Sequence, residues 1–67
     1  MISLNGESSQ VRAGETVAVV LRDLGISDDT RGIAVAVDGE VVPRTAWDSF
    51  ALAAEARVEV LTAMQGG

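Results

Sequence analysis

The chain closes on Ala63-Met64-Gln65-Gly66-Gly67. Two residues without side chains add nothing to a core, and at an average glycine usage of about 7% such an ending arises by chance in only about 0.5% of chains. The group with chemistry there is the free carboxylate of Gly67. An unperturbed α-carboxylate titrates near about 3.5, so at neutral pH it is an ionised oxygen nucleophile that needs no general base. Gly66 and Gly67 lack Cβ atoms, so a tail ending in them can approach a partner's catalytic groups closely and thread a narrow channel that excludes water. The competing reading is a frayed end without a role, since disorder concentrates at chain termini.

The remaining composition offers little other chemistry. There is no Cys and no His among the 67 residues, which removes disulfides, thiol and imidazole catalysis, and the usual nitrogen and sulfur ligands of zinc. The ten Asp and Glu are scattered and read as a solvated surface, so neither a catalytic side chain nor a metal site is expected. A net charge of −5 argues against nucleic acid and anionic membrane surfaces, and suits a protein partner with a basic docking face. No apolar run approaches the ~20 residues of a membrane span, and no charged segment precedes an apolar stretch at the N-terminus, so the cytoplasm is the expected compartment. All five basic residues are Arg. Without lysine, an activated terminus has no side-chain amine on its own chain to acylate.

The elements that would carry this tail follow from periodicity. Ile2-Ser3-Leu4 alternates, Asn5-Gly6 is a hairpin turn, and Ser8 to Arg12 is the expected return strand. Thr16 is the expected helix N-cap, its hydroxyl accepting from a free backbone N–H; Val17, Val20, Leu21 and Leu24 recur on one helical face. Gly25 stops that helix, with Ile26 folding back on Leu21. Three valines in so short a helix mean that packing must hold it. Ile33, Val35 and Val37 alternate with Ala34, Ala36 and Asp38; Asp38-Gly39 turns the chain into Glu40-Val41-Val42, which Pro43 ends. Residues 45–54 read as one irregular helical turn anchored by Trp47, Phe50 and Leu52, the two aromatics serving as core rather than as ligand-stacking groups. Arg57 to Ala63 is the last strand, with Val58 and Val60 on one face and Glu59, Leu61 and Ala63 on the other. The order strand, strand, helix, strand, strand, helical turn, strand gives one α+β domain of two layers, 1–63, with a flexible tail, 64–67.

This order, with a last strand running into Gly-Gly, resembles the ubiquitin-like β-grasp fold: a mixed sheet of about five strands on one helix. Val42-Pro43-Arg44-Thr45-Ala46-Trp47, the Asn5-Gly6 hairpin and Val58-Glu59-Val60 leading to Gly67 are similar to the ThiS family of sulfur carriers in thiamine biosynthesis. The likeness covers essentially the whole chain. Where that family commonly carries Gly-Asp before its last strand, this chain has Glu55-Ala56, so another turn geometry is expected there.

The resemblance implies a protein co-substrate rather than an enzyme. An E1-like adenylating enzyme would use ATP, not bound by this chain itself, to adenylate Gly67. A partner's persulfide would displace AMP to leave a thiocarboxylate, and thiazole synthase would take the sulfur. With no Cys in the chain, the acyl terminus is the place left to hold sulfur. Gly67 is then the modified residue, and Met64, Gln65 and Gly66 the tail in the partner's channel. Leu61 and Ala63 are the candidate docking residues, although a lone exposed leucine needs no explanation. Carriers for molybdopterin, cysteine or tRNA thiolation share the same terminus and activation chemistry. A ubiquitin-like modifier and a β-grasp interaction module with an incidental Gly-Gly also remain open.

Overall fold

The computed structural model describes residues 1–26 and 31–62. The expectations that concern Ala63, Met64, Gln65, Gly66 and Gly67, including the 63/64 boundary between domain and tail, lie outside the described residues. The elements are β1 (Ser3–Leu4), β2 (Glu7–Ser8), α1 (Val17–Asp23), β3 (Ile33–Val37), β4 (Glu40–Val42), one 3-10 turn at Arg44–Ala46, and β5 (Arg57–Thr62). They form one sheet in the order β2-β1-β5-β3-β4, with β1 parallel to β5 and the other neighbours antiparallel. This is the ubiquitin-like β-grasp arrangement, and it makes the last described strand the central one. Among the described residues no helix is long and apolar enough to cross a membrane.

Both hairpins close through two-residue turns. Asn5 and Asp38 have φ of 51° and the glycine after each also has positive φ, the backbone of the type I′ turn whose twist matches that of its strands. Such a turn fixes register at once: Leu4 pairs with Glu7 and Ser3 with Ser8. The return strand is therefore Glu7–Ser8, not the expected Ser8 to Arg12. After Ser9 donates its N–H to the Ile2 carbonyl (2.9 Å) and its Oγ accepts from the Val11 N–H (3.1 Å), the chain leaves the sheet to bury Val11.

Helix α1 buries Val17, Ala18, Val20 and Leu21 against Val35, Val58 and Val60 of the sheet and against Trp47, Leu52 and Ala56. Each fully buried Val or Leu is worth roughly 1.5–3 kcal/mol, which is what seven residues rich in valine require to be helical. Leu24, expected on this face, is 44% exposed and serves as the C-cap, because the helix has already ended. Gly25 (φ 79°) donates to the Arg22 carbonyl (3.0 Å) and Ile26 to the Leu21 carbonyl (2.8 Å), the paired bonds of a Schellman stop. Ile26 packs, partly buried, on the core.

The start of α1 departs from expectation. Thr16 is the N-cap by position, but its side chain makes no capping bond. The free N–H groups of Val17 and Ala18 donate instead to the carbonyls of Phe50 (3.1 Å) and Trp47 (3.0 Å). Thr16 forms an antiparallel bridge with Ala51, and Gly14 and Glu15 bond to Leu52 on either side. The irregular helical turn expected over 45–54 is a 3-10 turn at Arg44–Ala46 that continues as a turn through residues 47–49, closed by the Phe50 N–H on the Ala46 carbonyl (2.8 Å). Beyond Phe50 the chain is not helical, and Ala51 bridges Thr16 instead. Trp47 is buried, its Nε1–H donates to the Val42 carbonyl (2.9 Å), and the Arg44 guanidinium lies 4.7 Å from its ring centre. The turn before β5 closes with the Ala56 N–H on the Ala53 carbonyl (3.2 Å) and needs no positive φ, so Glu55-Ala56 is accommodated where glycine is not required.

Because carbonyls from another segment cap α1, Thr16→Ala should cost under about 0.5 kcal/mol, against the ~1 kcal/mol typical of a capping threonine. Urea denaturation of the two proteins checks this; a loss of a full kcal/mol would mean that the hydroxyl caps the helix after all.

Candidate functional site

The alternation of β5 sorts its residues. Val58 and Val60 enter the core, while Arg57, Glu59 and Leu61 stand on the opposite, open face of the sheet. Cross-strand register then names their neighbours: Ala34 lies opposite Leu61, Ala36 opposite Glu59, and Val41 opposite Ala36. Side chains so paired sit about 4.5–5.5 Å apart at Cβ. Alanines at 34 and 36 rise too little to cover their neighbours, and Leu61 and Val41 are 65% and 75% exposed. The open face therefore carries an apolar strip of Leu61, Ala34, Ala36 and Val41, edged by Glu59 and Arg57.

The course of β5 toward Thr62 is held from both sides. On one side β3 pairs with it from Val37 opposite Val58 to Ile33 opposite Thr62. On the other, β1 ends at Leu4, opposite Val58, and turns away two residues early. Asn5 takes over. Its backbone N–H donates to the Val58 carbonyl (2.8 Å), its Oδ1 accepts from the Val60 N–H (2.8 Å), and its Nδ2 donates to the Val60 carbonyl (3.3 Å). At the other end of β5, Asp38 exchanges two bonds with Arg57: its N–H to the Arg57 carbonyl (2.8 Å), and the Arg57 N–H to its Oδ1 (3.0 Å). Each hairpin thus lends the side chain of its first turn residue to the central strand.

Of the residues singled out from sequence, Leu61 lies on the open face within the described region, and Ala63, Met64, Gln65, Gly66 and Gly67 lie outside it. Sequence reasoning missed Val41 and the bracing roles of Asn5 and Asp38. Val41 was legible in principle, because in Val41-Val42 only one of two successive strand residues can face the core. The bracing was not, since it depends on where β5 passes. A shallow depression between the two turns is lined by Gly6, Asp38, Gly39, Arg57, Val58 and Glu59. It sits at the start of β5, five residues and so about 16 Å of strand from Thr62. Among the described residues no group of three or more acidic side chains is placed to hold a metal ion.

Comparison with known proteins is consistent with this geometry. A family model described as ThiS family matches residues 2–67. No curated protein sequence matches the chain. Among solved structures, the crystal structure of a thiamine biosynthesis protein (ThiS) from Geobacter metallireducens is similar with a TM-score of 0.74 at 26% identity, covering 98% of this chain and 97% of that one.

An exposed apolar strip with no partner among the described residues predicts that Leu61→Arg and Val41→Arg each change stability by no more than about 0.5 kcal/mol. Thermal melts check this; a marked fall in melting temperature would show that the strip is covered in the free protein.

Proposed function

The chain belongs to the ThiS family, small sulfur carriers of thiamine biosynthesis that are not catalysts in themselves, and from that premise we propose that the carboxylate of Gly67 is its working group. One carboxylate oxygen attacks the α-phosphorus of ATP held by an E1-like adenylating enzyme. The bond to pyrophosphate breaks, and Gly67 becomes an acyl-adenylate. The terminal sulfur of a partner's persulfide attacks the Gly67 carbonyl carbon, and AMP leaves with the electron pair of the broken C–O bond. A second thiol then cleaves the resulting acyl disulfide at its S–S bond, leaving a thiocarboxylate on Gly67 and a disulfide on the partner side. Both thiols belong to partners, because this chain has no Cys. Thiazole synthase is the acceptor of the sulfur.

The observation that carries this reading is that the family match runs through residue 67 and so includes Gly66 and Gly67. The remaining residues serve presentation. Met64, Gln65 and Gly66 form the tail that enters the partner's channel, where exclusion of water protects an acyl-adenylate from hydrolysis. Leu61, with Ala34, Ala36 and Val41 beside it on the sheet, docks the carrier on the adenylating enzyme together with Ala63. Docking at the open face lets β5 point its C-terminal end at the nucleotide while the helix-side core stays intact.

Exchange of labelled pyrophosphate into ATP by the host's adenylating enzyme tests the proposal. The wild-type chain should support exchange, and a chain lacking Gly66 and Gly67 should support none. Gly66→Val should reduce it up to about 100-fold with an unchanged melting temperature, since displacement of a reacting group by an ångström costs on this order. Leu61→Arg should weaken the complex. Exchange at the wild-type rate with the truncated chain would place the activity elsewhere and leave a β-grasp interaction module.

A further inference from the structure

The described part of β5 ends at Leu61-Thr62, and what holds the strand just before it is a side chain. β1 has left β5 at Val58, so the N–H and C=O of Val60 on that side have no strand to meet. The Asn5 carboxamide fills the place of a peptide group, accepting from the Val60 N–H at 2.8 Å and donating to the Val60 carbonyl at 3.3 Å. It does so from the first position of a type I′ turn, at φ 51°, a conformation that asparagine tolerates better than most residues. The turn alone does not demand a carboxamide, because glycine serves it as well.

We propose that Asn5 is a positioning residue for the docking end of β5 in this carrier. Its carboxamide fixes β5 at Val60, so that Leu61 presents its side chain to the open face before any partner is met. This rests on the reading of Gly67 as the adenylated group. The effect belongs to the free carrier: once docked, the enzyme's own contacts hold the strand. Loss of the bracket therefore lowers the fraction of carriers that are ready to dock and leaves the chemistry of the docked complex alone.

Asn5→Gly separates bracket from turn, since it keeps the positive φ and removes the carboxamide. Asn5→Asp keeps the turn and the Oδ1 acceptor but sets a carboxylate oxygen, an acceptor, against the Val60 carbonyl where the Nδ2 donor stood. With the host's adenylating enzyme and ATP, Asn5→Gly should raise KM for the carrier about three- to tenfold with kcat unchanged, the inverse of the fraction left in the docking geometry. Asn5→Asp should likewise raise KM with kcat unchanged. In the isolated proteins, hydrogen exchange at the Val60 amide should quicken in Asn5→Gly relative to the Val35 amide, which reports the body of the sheet. Quickened exchange with a wild-type KM would reduce the bracket to a structural detail and overturn the proposal; so would a fall in kcat at constant KM, or unaltered exchange at Val60. If Asn5→Gly does not fold, the same readouts on Asn5→Asp decide. A wild-type carrier that is not adenylated at all refutes the functional reading itself, an outcome distinct from a variant with wild-type kinetics.

Discussion

A central strand must be hydrogen-bonded along both edges, and in this domain both neighbours of β5 are cut short by tight turns. β1 is two residues long and β3 turns at Asp38. A buried peptide group left without a partner costs about 1–3 kcal/mol, a large part of the stability of a 67-residue chain. The domain meets the requirement with the same residues that make the turns. Asn5 completes one edge at Val60, where the peptide is part-buried and that cost bears, and Asp38 the other at Arg57, where the bond is exposed. Turn chemistry and strand pairing are thus one interaction, and the course of β5 through Val60 follows from it.

A parallel economy holds the helix. Seven residues with three valines do not form a helix in isolation, and the first N–H groups of α1 are met by the carbonyls of Phe50 and Trp47. Those carbonyls are available because no helix continues past Phe50. Trp47 anchors that segment from within, its ring buried and its Nε1–H on the Val42 carbonyl. Helix, aromatic anchor and β4 therefore stand or fall together, and the open face of the sheet is left free of any structural duty. An apolar strip of Leu61, Ala34, Ala36 and Val41 can persist there because nothing in the core depends on covering it.

Much of this was legible in the sequence, for physical reasons that can be named. Asn5-Gly6 and Asp38-Gly39 carry their own turn geometry, and the alternation of Ile33-Val35-Val37 and Val58-Val60 reports a half-buried sheet. Gly25 and Ile26 announce the end of the helix. The terminal Gly66-Gly67, joined to Val42-Pro43-Arg44 and Trp47, pointed to the family. What escaped was tertiary. Thr16 has the right side chain for a cap and is not used as one, because another segment arrives first. Leu24 continues the helical period but is the C-cap, where the Schellman stop already turns the chain. The return strand ends at Ser8 because Val11 has a core to enter, which no local pattern reports. The bracing by Asn5 and Asp38 depends on which strand lies beside each turn, and that is fixed only by the β2-β1-β5-β3-β4 order.

The central claim is that the end of β5 delivers a carboxylate that carries sulfur. It is tested most directly by the intact mass of this chain, isolated from its host during thiamine starvation, with fragmentation to locate any change. The account predicts a species in which one oxygen of the Gly67 carboxylate is replaced by sulfur. A chain from starved cells that carries no sulfur at Gly67, or carries it elsewhere, would contradict it.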